Sequence, residues 1–338
     1  MQSIIFFDAK EYETNQFTSK LGSEFELVFH REPLLLGTSL DEKTKNTQIL
    51  SVFTSSRLTE EVLSQFTNLK LIATRSVGYS HIDTEYCKSK GIMVVNTPHY
   101  GDYTVAEFSF ALLLNLVRKI FEAQSDLKSG VIDNQYFGVE LFNKKIGIIG
   151  LGGIGSKALK IANGFSMEIL AYDPYPNKEL QEKYGFEYVD LDYLCENADI
   201  ISLFAPATSQ NYHLINADRI AKMKDGVIIV NTARGELIDT HALYQALLDK
   251  KVAGAALDVL ECEEALSKRC VYLKNEMCFD ESCLKRTLIN HILLTLPNVI
   301  ATPHSAYDTK EAVDRIIGMT ISNFNSFEKG TELKNIVV

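Results

Sequence analysis

Three apolar runs in the second half of the chain end on ionisable side chains. VIIVNTA stops at Arg234, ALDVLECE carries Asp258 and Glu263, and NVIATP is followed at once by His304. Ligands in open α/β sheets gather at the carboxyl ends of strands, so these groups are expected to converge on one crevice. An arginine can grip a planar carboxylate through two parallel hydrogen bonds. A histidine is the commonest proton donor near neutral pH. A glutamate beside it would stabilise the imidazolium and raise its pKa, keeping it charged to protonate a carbonyl oxygen. Taken singly each residue has a plainer reading: Arg234 as a surface ion-pair partner, His304 as a turn residue, Glu263 as a solvated acid.

The stretch IGIIGLGGIGSKAL holds G-x-G-x-x-G at Gly150, Gly152 and Gly155, after an apolar run and before a helical pattern. In that context the first glycine serves a tight turn and the second lets the backbone approach a pyrophosphate. The third lets helix pack on strand, and the helix N-terminus offers N–H groups to the anion. MEILAYD then ends in Asp173, about 20 residues beyond the glycines, where an acid accepts hydrogen bonds from an adenosine ribose. A carboxylate there repels a 2′-phosphate, and Pro174 and Tyr175 bring no cation, so NAD is favoured over NADP.

These groups need strands to carry them. The first hundred residues alternate β-rich runs (SIIFFDA, FELVFH, ILSVFTS, LKLIATRSVG, IMVVNTP) with helical patterns, including LTEEVLSQFT with Thr59 as its N-cap. A second series starts at KKIGIIG and continues through MEILAYD, ADIISLFAP, GVIIVNTA, VAGAALDV and NVIATPH. Near-continuous hydrophobicity within each run is the look of strands covered by helices on both faces. The expected fold class is therefore α/β with doubly wound parallel sheets. Residues 104 to 124 read as one long helix, apolar on most of its circumference, and KEAVDRIIGMTISNFNSFEKG as a final helix running to Gly330.

Composition narrows the class. A length of 338 residues suggests two domains, and 46% hydrophobic with 23% charged residues is ordinary for a globular protein. The net charge of −10 and the lack of a Lys/Arg cluster argue against nucleic acid as a partner. No signal-like start or membrane-length apolar run is seen, so cytoplasmic residence is the default expectation. Six cysteines without a small-domain framework fit a reducing compartment. Cys262, Cys270, Cys278, Cys283 and His291 share one late segment, but spacings of eight, eight and five positions do not make the paired knuckles of a structural zinc site, so no metal is expected and the thiols are read as reduced.

RSVGYSHID, NTPHYGDYTVAE, GLGGIG, NTARGELIDTHAL, ALDVLECEE and TPHSAY together give the chain a family likeness over nearly its whole length. It resembles the D-isomer-specific 2-hydroxyacid dehydrogenases, and within them the D-lactate dehydrogenase branch. The resemblance implies a flavodoxin-like substrate domain (residues 1–100 plus 303–338) and an NAD-binding Rossmann domain (residues 101–302), with His304 at the cleft. It makes Arg234, Glu263 and His304 the catalytic set. It adds Gly153, Ile154, Ala205, Pro206, Asn211, Thr232, Ala233 and Asp258 to the cofactor contacts. Backbone N–H groups of Val77 and Gly78 would receive the substrate carboxylate, and Phe53, Tyr100 and Tyr307 would line the pocket, although these aromatics read equally well as core residues. The implied reaction is reduction of a 2-keto acid by NADH, pyruvate first, with glyoxylate, hydroxypyruvate and branched or aromatic keto acids as alternatives. From another class, the fold could serve a non-catalytic NAD(H)-sensing protein. A homodimer through residues 104 to 124 is also implied. Phe204 and Gly153 depart from the family, standing where relatives commonly carry histidine and arginine or histidine, which would weaken NAD binding somewhat.

Overall fold

The computed structural model describes residues 2–132, 135–266 and 281–338. They form two compact units, one of Met1–Tyr100 with Thr309–Val338 and one of Gly101–Asp308.

In the first unit five parallel strands, β1 (Gln2–Phe6), β2 (Phe25–Phe29), β3 (Ile49–Val52), β4 (Leu71–Thr74) and β5 (Met93–Val95), stand in the order β2-β1-β3-β4-β5. That is the flavodoxin-like order. β3 and β4 are buried throughout, as strands with helices on both faces must be. The Lys310–Glu328 helix closes one face: Val313, Ile317 and Phe324 join Ile4, Phe6 and Val95 in one core cluster. Each such side chain stabilises the fold by about 2 kcal/mol or more, which explains why the last helix belongs to a sheet encoded at the other end of the chain. The helix expected across LTEEVLSQFT is a single turn, Glu60–Leu63, because the Thr67 N–H leaves it to donate to Lys45 O at 2.9 Å.

The second unit has seven parallel strands: β6 (Lys145–Ile149), β7 (Glu168–Tyr172), β8 (Glu187–Tyr188), β9 (Ile200–Leu203), β10 (Val227–Asn231), β11 (Val252–Leu257) and β12 (Val299–Ala301). Their order, β12-β11-β10-β9-β6-β7-β8, reverses direction at β6, the switch point of a Rossmann sheet. The two-residue β8 was not expected from the sequence, being too short to make a pattern.

The long helix expected over residues 104 to 124 is two helices, Asp102–Val117 and Ile120–Lys128, broken at Lys119 with φ +52°. Asn115 explains the break, since its Oδ1 accepts the Phe121 N–H at 2.9 Å in place of a backbone carbonyl. Asp102–Val117 is covered by the Gly153–Gly164 helix and by β10 and β11, and its buried residues include Ala106, Phe110 and Leu113. Beyond the break Ile120, Phe121 and Leu127 are exposed.

Residues 303 to 308, expected with the first domain, pack in the second unit. The reason is Asp258, whose carboxylate takes the N–H groups of Ser305 (2.9 Å) and Ala306 (2.9 Å). The chain crosses over only at Thr309, which caps the last helix through the Ala312 N–H. Among the described residues no helix is long and apolar enough to cross a membrane.

Candidate active site

The glycine loop lies between β6 and the Gly153–Gly164 helix. Gly150 adopts φ +91°, and a Cβ there would press on the Ala205 backbone. A Cβ at Gly155 would collide with Gly150 O, so helix and strand meet at a distance only glycine allows. A Cβ at Gly152, by contrast, would meet nothing within 4 Å, leaving open space at the helix N-terminus. Asp173 ties this loop from the end of β7: one oxygen accepts the Leu151 N–H (2.6 Å), the other the Tyr175 N–H (2.8 Å). Where relatives carry a large side chain, Gly153 faces the Asp102 carboxylate, into which any Cβ would run. A side chain at position 153 would require only the flexible Asp102 carboxylate to turn aside, and Ile154 behind it packs against the core.

Beyond β9, Ala205 and Pro206 begin a loop that Asn211 folds on itself, its Oδ1 accepting the Thr208 N–H (2.7 Å) and its Nδ2 donating to Pro206 O (2.6 Å). After β10 comes Thr232, whose buried Oγ1 has no hydrogen-bond partner. Such a group is expected to meet one in a bound molecule. Open space at the glycine loop, the Asp173 carboxylate and this orphaned hydroxyl together fit a dinucleotide.

Arg234 follows in extended conformation, partly buried, with one guanidinium nitrogen donating to Ala233 O at 2.6 Å. The turn that presents it is held by Asn231, whose Oδ1 accepts the Ala233 N–H (3.0 Å) and whose Nδ2 donates to Arg234 O (2.9 Å). Gly235 lies under the Leu260–Glu261 peptide so closely that no Cβ could be placed. The Arg234 loop and the Glu263 loop therefore pack as one layer.

His304 sits in the left-handed region, φ +52°, unusual for a residue with a Cβ. Its backbone N–H donates to Asp258 O at 2.9 Å, and its ring Nδ1 meets Glu263 Oε1 at 2.6 Å across 41 positions of sequence. His304 is thus a turn residue whose ring is also paired with a carboxylate distant in sequence. Burial pulls the His304 pKa down, but the hydrogen bond and the charge of Glu263 outweigh it. Arg234 opposes and Asp258 assists, and the net direction is upward. Arg234 is thus near enough to act on the imidazole. Asp258, almost wholly buried, is pushed up by burial, against the lowering effect of the Thr302 hydroxyl (2.5 Å) and the Ser305 and Ala306 amides.

In the first unit the loop after β4 carries Val77 and Gly78. Asn96 Nδ2 donates to Val77 O (2.8 Å) and the Ser76 hydroxyl to Gly78 O (2.6 Å). Below the loop Arg75, fully buried, donates to Ser51 Oγ, Phe7 O and Glu13. Phe53 is partly buried and Tyr100 buried, while Tyr307, in the second unit, is partly buried.

Two features were missed in the sequence. Cys262 and Cys283 are joined as a disulfide with Cα atoms 5.7 Å apart, contrary to the expected reduced thiols. A separation of 21 positions gave no hint of it, because the Glu281–Leu293 helix folds back on the Glu263 loop only in three dimensions. Cys270 and Cys278, of the same weighed cluster, lie outside the described residues. The second is Glu261, 3% exposed and surrounded by polar partners, whose sequence context marked it as one more acid in an acidic run.

Comparison with known proteins agrees with this architecture. Residues 110–306 match the model of the D-isomer specific 2-hydroxyacid dehydrogenase NAD binding domain. The structure is similar to that of D-lactate dehydrogenase from Aquifex aeolicus, complexed with NAD and lactic acid, with a TM-score of 0.87 and 36% identity over 99% of each chain. An aromatic 2-oxoacid reductase of Clostridium sporogenes is 39% identical over 93% of this chain and 92% of its own. A D-3-phosphoglycerate dehydrogenase of Methanocaldococcus jannaschii is 39% identical over 88% of this chain, which spans only 52% of that relative's length. Two doubly wound sheets, a nucleotide loop and a family likeness along its full length agree: the chain belongs to the NAD-dependent D-isomer-specific 2-hydroxyacid dehydrogenases.

Proposed function

We propose that this member of the family reduces pyruvate to D-lactate, and that Arg234, Glu263 and His304 are its catalytic residues. One observation carries the catalytic assignment, the 2.6 Å contact between His304 Nδ1 and Glu263 Oε1, with Arg234 acting on the same ring; the likeness to the Aquifex aeolicus D-lactate dehydrogenase supports pyruvate as the substrate. When bound, NADH supplies the hydride that reaches the keto carbon. His304 holds a proton at Nε2, the nitrogen that Glu263 does not engage, and delivers it to the carbonyl oxygen. Glu263 keeps the ring charged and correctly turned, as an orienting carboxylate does for a catalytic histidine. Arg234 pairs with the substrate carboxylate through its two-pronged guanidinium, which fixes which carbon faces the cofactor.

Gly150, Gly152, Gly153, Ile154, Gly155, Asp173, Ala205, Pro206, Asn211, Thr232, Ala233 and Asp258 are proposed as cofactor contacts, and Phe53, Val77, Gly78, Tyr100 and Tyr307 as substrate contacts. We also infer a homodimer. The exposed Ile120, Phe121, Leu127, Ile132, Phe137 and Phe142 cluster in one stretch of chain, more apolar surface than a solvated segment normally shows. Phe121→Asp should shift the mass in sedimentation from dimer to monomer.

The substrate is the finer question, and the aromatic 2-oxoacid reductase among the relatives favours a second reading, an aromatic keto acid. Single methylenes in an apolar pocket are worth only about 1–3 kcal/mol. The test is kcat/KM, followed by NADH absorbance, for pyruvate, glyoxylate, hydroxypyruvate, 2-ketobutyrate, 2-ketoisocaproate and phenylpyruvate. A preference for pyruvate, with product oxidised only by a D-lactate-specific enzyme, supports the first reading, whereas a preference for phenylpyruvate replaces it with the second.

A further inference from the structure

The loop from Asp258 to Glu263 is six residues long, and Glu263 reaches His304 from its far end. Its start is anchored by Asp258 on Thr302, Ser305 and Ala306. Its middle is anchored by Glu261, which reaches away from His304 into the protein. Glu261 Oε2 accepts the Thr240 N–H (3.1 Å) and hydroxyl (2.6 Å) at the start of the Thr240–Leu248 helix. Oε1 meets His213 Nε2 (2.8 Å), the Tyr212 hydroxyl (3.3 Å) and Arg286 Nε (3.4 Å). Glu261 O accepts from Asn290 Nδ2 at 2.7 Å. Arg286 and Asn290 lie on the Glu281–Leu293 helix, which also bears Cys283.

Between this anchor and Glu263 stands Cys262 at φ +54°. A left-handed non-glycine residue costs about 1–2 kcal/mol and persists only where its surroundings hold it. The turn reverses the chain so that Glu263 Oε2 accepts the Leu260 N–H (3.2 Å) while Oε1 faces His304. A carboxylate this deeply buried is costly unless fully satisfied, and here both oxygens and the carbonyl are.

We propose that Glu261 is a positioning residue for the reaction: its buried carboxylate, docked on Thr240, His213 and the Glu281–Leu293 helix, holds the left-handed Cys262 turn that brings Glu263 onto His304. This rests on the reading of Glu263 and His304 as the proton-delivering pair. The same anchor supports Arg234, because the Leu260–Glu261 peptide lies directly on Gly235.

The test is the pH profile of keto-acid reduction across neutral and alkaline pH, with kcat, KM and the thermal midpoint for each variant. The groups facing His304 are Glu263, Arg234 and Asp258, and those facing Glu261 are His213, Tyr212 and Arg286, with Asp239 3.7 Å from His213. Glu261→Ala should lower kcat about ten- to a hundredfold, the range that small misplacements of a catalytic group produce. It should also move the alkaline limb to lower pH, in the direction of Glu263→Gln, with KM for NADH changed by less than about twofold. The double variant should show no further shift, since the two residues act as a unit. Glu261→Gln, which keeps the shape, should fall between wild type and Glu261→Ala. Arg286→Ala, at a partly exposed site, should shift the limb less but in the same direction, and it decides the matter if the Glu261 variants do not fold. A lower thermal midpoint with an unmoved limb, in Glu261→Ala or in Arg286→Ala, overturns the proposal. An unmoved limb in Glu263→Gln itself overturns the catalytic reading beneath it.

Discussion

Asp258 and His304 are joined through their backbones: the His304 N–H donates to Asp258 O at 2.9 Å, while the Asp258 side chain takes the next two amides, Ser305 and Ala306, each at 2.9 Å. One residue at the end of β11 thus shapes the whole turn after β12 and holds His304 in its left-handed conformation. Asp258→Ala removes three hydrogen bonds to a buried carboxylate at once. It should lower stability by about 2–4 kcal/mol in chemical denaturation. Keto-acid reduction should fall by more than the unfolded fraction explains, and a loss of stability with full kcat would show that the turn forms without the carboxylate.

The raised pKa of His304 sets a pH dependence for turnover. A histidine whose charged form is stabilised stays protonated to higher pH, so reduction should persist through neutral into mildly alkaline pH. Glu263→Gln removes the charge that lifts His304, leaving burial and Arg234 to act in the opposite direction, and the falling limb should move to lower pH. An unchanged profile would remove this role from Glu263.

His81 gives a stability dependence of opposite origin. Burial, with the charge of Arg57 adding to it, pushes its pKa down from 6.5 to about 4. The ring stays neutral in the folded protein while the unfolded chain takes up a proton. Stability is then complete above the unfolded pKa and declines as pH falls from about 6.5 towards about 4. The full loss is of the order of a few kcal/mol. In His81→Asn the thermal midpoint should depend less steeply on pH over that window, and an equal slope in both proteins would assign acid sensitivity to other groups.

The Cys262–Cys283 bond closes a loop across a sequence separation of 21. By the loop-entropy relation such a link is worth about 3 kcal/mol. Peptide mapping under non-reducing conditions should recover the two cysteines in one linked fragment, and dithiothreitol should lower the thermal midpoint. In the reduced native protein Cys87 and Cys195 should alkylate slowly, because both are buried and burial pushes each thiol up to about 11. Two unlinked peptides before reduction would refute the pairing.

Arg234 has the clearest kinetic signature. Arg234→Lys keeps the charge but loses the planar fork, so kcat/KM for the keto acid should fall by about a hundredfold, equivalent to nearly 3 kcal/mol, with NADH binding retained. Equal losses for NADH and keto acid would place Arg234 in folding of the loop and not in substrate capture.

Much of this protein is legible in the chain because its signals are local. Nearly continuous apolar runs such as ILSV and VIIVN read as strands covered on both faces, and they are parallel and buried in both sheets. The glycines between β6 and its helix announce their turn because steric freedom at Gly150 and close packing at Gly155 belong to the backbone itself. Arg234, Asp258 and His304 could be singled out because parallel topology puts strand ends on one edge. What the tertiary structure alone decided are the contacts between distant segments. The Glu263–His304 pairing, expected in kind, takes its geometry at Nδ1 from the fold across 41 positions, Cys262 meets Cys283, and Asn115 breaks a helix whose apolar pattern runs on unbroken. Glu261 is the extreme case. In sequence it is one acid among several, and it becomes an anchor only because Thr240, His213, Arg286 and Asn290, separate along the chain, fold around it and make burial of its charge tolerable.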